Sequence, residues 1–149
     1  MRSVVQRVSM GQVVVEDSLV ASIEKGIIAL VGFKEGDDEK EFSYILDKLL
    51  NLRIFEDNED KMNLSIQDID GDILIIPNFT LYGDCRSGRR PSYSNASKPS
   101  DAKLQFERFS EKVKEHFTKV VFGIFQADMK VTILNDGPVT LLIDSDKQF

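Results

Sequence analysis

The chain has 149 residues, 42% of them hydrophobic and 30% charged, a net charge of −6 and one cysteine. This is the make-up of one globular domain, residues 1–149, able to bury roughly two-thirds of its unfolded surface. It excludes an intrachain disulfide and, with no apolar run near about 18 residues, a helical membrane span.

Residues 4–8 and 12–15 are predicted as two strands parted by a Met10-Gly11 break, and residues 19–23 as a third. The run 27–31 carries no polar alternation and reads as a central strand buried on both faces. From Asp38 the period changes: Phe42, Ile45, Leu46, Leu49 and Leu52 recur at helical spacing, with Asp37 or Asp38 as N-cap. Residues 53–55 form a short strand before an acidic turn, and residues 73–76 a buried strand ended by Pro77. An irregular stretch, 82–100, leads to a helix capped by Asp101 with the stripe Leu104, Phe106, Phe109, Val113 and Phe117. A strand over 120–125 follows, then two more, 131–134 and 139–143, joined by Asn135-Asp136-Gly137-Pro138 as a hairpin tip. The fold class is α+β: a curled, barrel-like sheet in a single domain, with two main helices packed outside.

The tip is unusual. Asn-Gly or Asp-Gly alone would serve a tight hairpin, whereas Pro after Gly stiffens the turn and presents the carbonyls of Gly137 and Pro138. It is a plain turn or a loop whose backbone touches something.

The first residues turn polar too early for the apolar core of a signal peptide, and a lone thiol suits a reducing compartment, so a cytoplasmic location is expected. Negative net charge argues against non-specific nucleic-acid coating, and neither DNA nor a membrane is expected as a partner. One segment departs from this acidity. Between Asp84 and Lys103, the basic Arg86, Arg89, Arg90, Lys98 and Lys103 face only Asp84 and Asp101, enough to hold a few phosphates.

Catalytic side chains are scarce. One His and one Cys cannot build a zinc site of nitrogen and sulfur ligands, so no metal and no cofactor are expected. His116 lies near a helix end, and Cys85 is flanked by Asp84 and Arg86 with no base beside it. The alternative is backbone chemistry. Pro77 stops a buried strand, so the N–H groups of Phe79 and Thr80 can point out of the sheet as oxyanion donors.

Taken together, the chain resembles the D-aminoacyl-tRNA deacylase family, often called D-tyrosyl-tRNA deacylases. The likeness runs through Gln6-Arg7-Val8, Arg53-Ile54-Phe55, Lys61-Met62-Asn63-Leu64, Phe79-Thr80-Leu81 and Arg90-Pro91-Ser92-Tyr93-Ser94 to Ala127-Asp128-Met129 and Asn135-Asp136-Gly137-Pro138-Val139-Thr140. The resemblance implies a homodimer with active sites at its interface, acting on aminoacylated tRNA. It implies a cis peptide at Gly137-Pro138, inserted into the partner's pocket to exclude an L side chain while D-amino acids and glycine pass. Arg7 and Met129 would support that loop, Phe79 and Thr80 would bind the oxyanion, and Asn78 would contact substrate. The 2′-hydroxyl of the terminal adenosine would assist water, and Arg86, Arg89 and Arg90 are the candidates for the acceptor-stem phosphates.

One departure stands out: the family's Ser-Gln-Phe-Thr reads Pro77-Asn78-Phe79-Thr80 here. A sister branch with Pro at the first position proofreads L-alanyl-tRNA. The rival readings are therefore a shift to that specificity, or a catalytically silent dimeric RNA-binding module.

Overall fold

Residues 27–31 lack polar alternation because the strand they form is covered on both sides. In the computed structural model, which describes all 149 residues, the elements follow as β1 (Arg2–Val15), β2 (Ser18–Ile23), β3 (Gly26–Gly32), α1 (Glu39–Asn51), β4 (Phe55–Glu56), β5 (Met62–Leu64), β6 (Asp72–Pro77), α2 (Pro99–His116), β7 (Val120–Phe122) and β8 (Lys130–Asp144). The main sheet runs β2-β1-β3-β6-β7, with β8 paired to β1, while β4 and β5 form a small separate ribbon. β3 to β6 and β6 to β7 are parallel steps, which need long crossovers, and α1 and α2 lie within those two connections.

Period two divides the sheet's side chains between two cores. Ile27, Ala29 and Val31 of β3 and Ile73 and Ile75 of β6 join Phe42, Ile45, Leu46 and Leu49 of α1 and Phe106, Phe109 and Val113 of α2. The alternate residues Ile28, Leu74 and Ile76 pack with Val8, Val13, Ala21 and Ile23 inside the sheet's own curl, where β2 comes against β6 and β7. Both helices thus sit on one face and the barrel-like interior fills the other.

Asp38 caps α1: its carboxylate accepts from the Glu39 N–H at 2.8 Å and the Glu41 side chain closes a capping box, an arrangement that contributes about 1 kcal/mol. Four sequence-based boundaries need correction. α2 begins at Pro99 after Lys98, not at Asp101, since a first-turn Pro gives up only a donor that has no helical partner; Leu104 is 59% exposed and lies off the buried stripe. The short strand is Phe55–Glu56, and β7 ends at Phe122. Residues 4–8 and 12–15 belong to one strand. Gly11 is no break: a Cβ there would stand 2.6 Å from Ile28 Cδ1, so the glycine allows close packing within a continuous β1.

The largest correction concerns the expected hairpin. Residues 131–134 and 139–143 do not pair with each other. Both lie on β8, and both pair with β1, Val13↔Val131 through Val8↔Asn135, then Gln6↔Thr140 through Arg2↔Asp144. Between Gln6 and Val8 the partner strand runs from Thr140 back to Asn135, so Asp136 to Val139 bulge out as an excursion from one long strand.

Candidate active site

Pro77 closes β6 opposite Val31, beyond the last β6–β7 pair at Ile75↔Phe122, so its missing N–H opens no gap in the ladder. The next N–H, that of Asn78, donates to Val31 O at 2.7 Å and holds the chain at the sheet's end. From there Phe79–Tyr82 wind into one 3-10 turn. Asn78 caps it: the side-chain Oδ1 accepts from the Thr80 N–H at 3.2 Å and from Thr80 Oγ1 at 2.6 Å. Asn reaches its own backbone two residues on, a habit of short polar side chains. The consequence is a correction. Of the two N–H groups expected to serve an oxyanion, Thr80's is taken by Asn78, while Phe79's opens the 3-10 turn and has no partner within it.

This turn forms one wall of an open cavity of about 1040 Å³. Phe33 and Phe125 reach it from the core, where Phe33 meets Phe42 and Phe109 edge-on at 6.0 and 6.3 Å and Phe125 stacks on Phe106 at 6.0 Å. Pairs of that kind add about 0.5–1.5 kcal/mol each and make the cavity floor an extension of the packed interior. Met129 also lines it, beside Val131 and Ile133, and exposed Phe79 meets Tyr93 at 5.1 Å. Ser97, which no sequence signal marked, also lines the cavity; its hydroxyl is buried without a hydrogen-bond partner.

The cavity gathers Asn78, Phe79, Thr80 and Met129, but neither Arg7 nor any residue of the Gly137 excursion. Those form a second cluster. Arg7 is 6% exposed; its Nη1 donates to Ile54 O at 2.8 Å and its Nε to Asp136 O at 3.3 Å, with the Asp136 carboxylate at 3.2 Å and Glu56 at 3.8 Å. Gly137 has φ +118, and a Cβ on it would stand 2.9 Å from Val139 Cγ2 and 3.1 Å from Arg7 Nη2. The Gly137-Pro138 peptide is cis, and both residues are exposed. Within one chain Met129 belongs to the cavity and Arg7 to the excursion, so they do not support the loop from the same side.

The three arginines divide as well. Arg86 forks onto Asp84, Nη2 at 2.6 Å and Nε at 2.9 Å, and this bonding holds the Asp84 carboxyl well below the usual carboxylate range. Arg89 and Arg90 are exposed on the same loop with no acidic partner. His116 ends α2 with Nδ1 against Lys112 O at 2.8 Å, and Cys85 is exposed; neither lines the cavity. No three His, Cys, Asp or Glu side chains converge as metal ligands, and no helix is long and apolar enough to cross a membrane.

The comparisons with known proteins agree with this architecture. The family model described as D-Tyr-tRNA(Tyr) deacylase matches residues 4–144. Proteins named D-aminoacyl-tRNA deacylase from Thermosipho melanesiensis and Clostridioides difficile are 55% and 50% identical, each over 100% of both chains. A solved structure titled c-Myc DNA Unwinding Element Binding Protein superposes with a TM-score of 0.92 at 34% identity, covering 97% of this chain and 98% of its own. One of a probable eukaryotic D-amino acid tRNA deacylase shares the fold at a TM-score of 0.80 and 18% identity, covering 95% and 97%. With the family model spanning nearly the whole chain and full-length relatives at half identity or better, this chain belongs to the D-aminoacyl-tRNA deacylase family of ester-bond hydrolases.

Proposed function

We propose that this chain hydrolyses the ester between a D-amino acid, or glycine, and the 3′ end of tRNA, in the cytoplasm, as a homodimer with its active sites at the interface. The observation that carries the reading is the separation of two parts. A cavity offers the unpaired Phe79 N–H, and a stiff, side-chain-poor tip stands exposed elsewhere on the same chain. The tip of one copy fills the cavity of the other. Leu134 and Leu142, 54% and 62% exposed on β8 on either side of the excursion, offer apolar surface for that docking.

In this site the ester carbonyl oxygen accepts from the Phe79 N–H, between Asn78, Thr80 and Met129. Water attacks the carbonyl carbon, the C–O ester bond breaks, and the amino acid leaves the tRNA hydroxyl. The chain supplies no base; the neighbouring 2′-hydroxyl of the terminal adenosine relays the proton. Gly137 and Pro138 of the second copy stand beside the α-carbon, where an L-amino acid carries its side chain and a D-amino acid or glycine carries hydrogen. Arg89 and Arg90, with Arg86 in a lesser part, hold phosphates of the acceptor stem.

Incubation with D-tyrosyl-tRNA and L-tyrosyl-tRNA tests this. Rapid loss of the D-ester alone is expected. Tight binding without loss of either ester would make the chain a silent RNA-binding module, and hydrolysis of L-alanyl-tRNA instead would trace to Pro77-Asn78.

A further inference from the structure

The excursion costs β1 a ladder partner. Opposite Arg7, β8 has left the sheet, and the Arg7 carbonyl would face no strand N–H. Asn135 fills the gap with its side chain. Its Nδ2 donates to Arg7 O at 2.8 Å and to Val139 O at 3.0 Å; its Oδ1 accepts from Gln6 Nε2 at 3.4 Å and Thr140 Oγ1 at 3.3 Å. Two donor hydrogens and two acceptor sites are all an amide has, and every one is used. The Asn135–Val139 bond spans the neck of the excursion, so one side chain both replaces the missing ladder bond and fixes the distance between the two ends of the loop. Gln6 also donates to Thr140 Oγ1 at 3.1 Å, joining the strand's two halves.

Asp cannot donate to the two carbonyls, Ala offers nothing, and Gln is a methylene too long for a neck of this width. We infer that Asn135 is the positioning residue of the chirality gate: it touches no substrate, but it sets where Gly137 and Pro138 stand. This rests on the functional reading above. A gate that rejects a side chain by contact depends on position, since a displacement of about 1 Å is worth up to about a hundredfold in rate. A D-substrate, with only hydrogen on that side, depends on it far less.

The test is the ratio of kcat/KM for L-tyrosyl-tRNA to that for D-tyrosyl-tRNA, measured on the full-length protein. Asn135→Ala and Asn135→Asp should raise the ratio by about ten- to a hundredfold, mainly by gaining L-hydrolysis. Thr140→Val and Gln6→Met leave both donor bonds of Asn135 in place, losing only an acceptor-side bond and the Gln6–Thr140 bond. They serve if the Asn135 variants melt early, and should raise the ratio by about threefold. A structural role alone would lower both rates together. An unchanged ratio in folded variants, with the wild type discriminating, overturns the assignment of Asn135 and leaves the enzyme reading intact. A wild type that hydrolyses neither ester overturns the reading itself, and this inference with it.

Discussion

At the cavity, Asn78 and Thr80 bond to each other. The Phe79 N–H, however, opens the 3-10 turn, where an N–H has no partner within the turn, and the buried Ser97 hydroxyl bonds to nothing. At the Gly137 excursion the opposite holds. Arg7 is bonded to Ile54 and Asp136, and all four hydrogen-bonding positions of Asn135 are used. An N–H without a partner in the chain can bond an arriving acceptor, whereas a satisfied network holds one shape. On the proposed reading, the first region receives and the second is inserted. Each is incomplete for chemistry by itself, and the predictions below bear on whether the two work as one site.

The largest effect should come from damaging each region in a different chain. Gly137→Val forces a β-branched side chain into a backbone at φ +118, against Val139 and Arg7, and wrecks the tip. Phe79→Pro removes the unpaired donor. Asn78 before it is already extended, at φ −146 and ψ 94, clear of the helical region that a following proline disfavours. The Phe79→Pro homodimer should lose at least about 10²–10³-fold in kcat, the usual cost of one oxyanion donor. The Gly137→Val homodimer should lose D-ester hydrolysis as well, because its added side chain crowds the α-carbon of either substrate instead of merely shifting the gate. Co-expressed with separate tags, the mixed dimer joins the intact cavity of the first chain to the intact tip of the second, and one working site in two should return. If the tip served its own chain, every site would carry one lesion and mixing would restore nothing. Thermal melting and tagged co-purification establish that the variants fold and pair.

How much of this was legible in the sequence follows the range of the interactions. α1 was readable because its cap and its stripe lie within one segment, Asp38 to Leu49. β3 was readable because burial on both faces removes polar residues from the strand itself. β1 and β8 were misread for the same reason as each other. Gly11 and Asn135-Asp136-Gly137-Pro138 carry turn residues, but whether such residues end a strand depends on the partner. Ile28 needs the space at Gly11, and β1 continues past the excursion. Asn135 drew notice only as turn chemistry, because its partners Gln6 and Arg7 lie more than a hundred residues away. Phe79 could be found from Pro77 stopping a strand; that Asn78 would occupy Thr80 required the geometry of the turn. Ser97 left no local mark at all.

A smaller effect should separate the arginines, sharpening the contrast between groups that are free and groups that are bonded. Arg89 and Arg90 face no carboxylate, while Arg86 is forked onto Asp84. Neutralising Arg89 and Arg90 together should reduce the slope of log affinity for tRNA against log salt by about 0.7–0.9 for each phosphate that is no longer neutralised. Arg86→Gln should change it by less, because Asp84 already offsets that charge. Turnover of bound substrate should stay nearly constant in both. An unchanged slope in the double variant moves the tRNA-binding face to another surface.

The smallest effects should come from the two side chains that look most reactive. His116 bonds its own helix at Lys112 O, Cys85 is exposed on the basic loop, and neither borders the cavity. His116→Ala and Cys85→Ala should each keep kcat/KM within about threefold, the range of ordinary surface changes. A chelator should do the same, since no three ligating side chains converge. The margin is wide enough to decide the matter, because a working general base contributes about 10²–10⁴-fold. A loss of that size in His116→Ala, with melting unchanged, would mean that an imidazole reaches the ester in the assembled enzyme. The Phe79 N–H would then be one part of an acid–base site rather than its centre, and the excursion would have to bring two copies together in a way that carries the end of α2 to the cavity. A small effect leaves the proton transfer to the substrate's own hydroxyl.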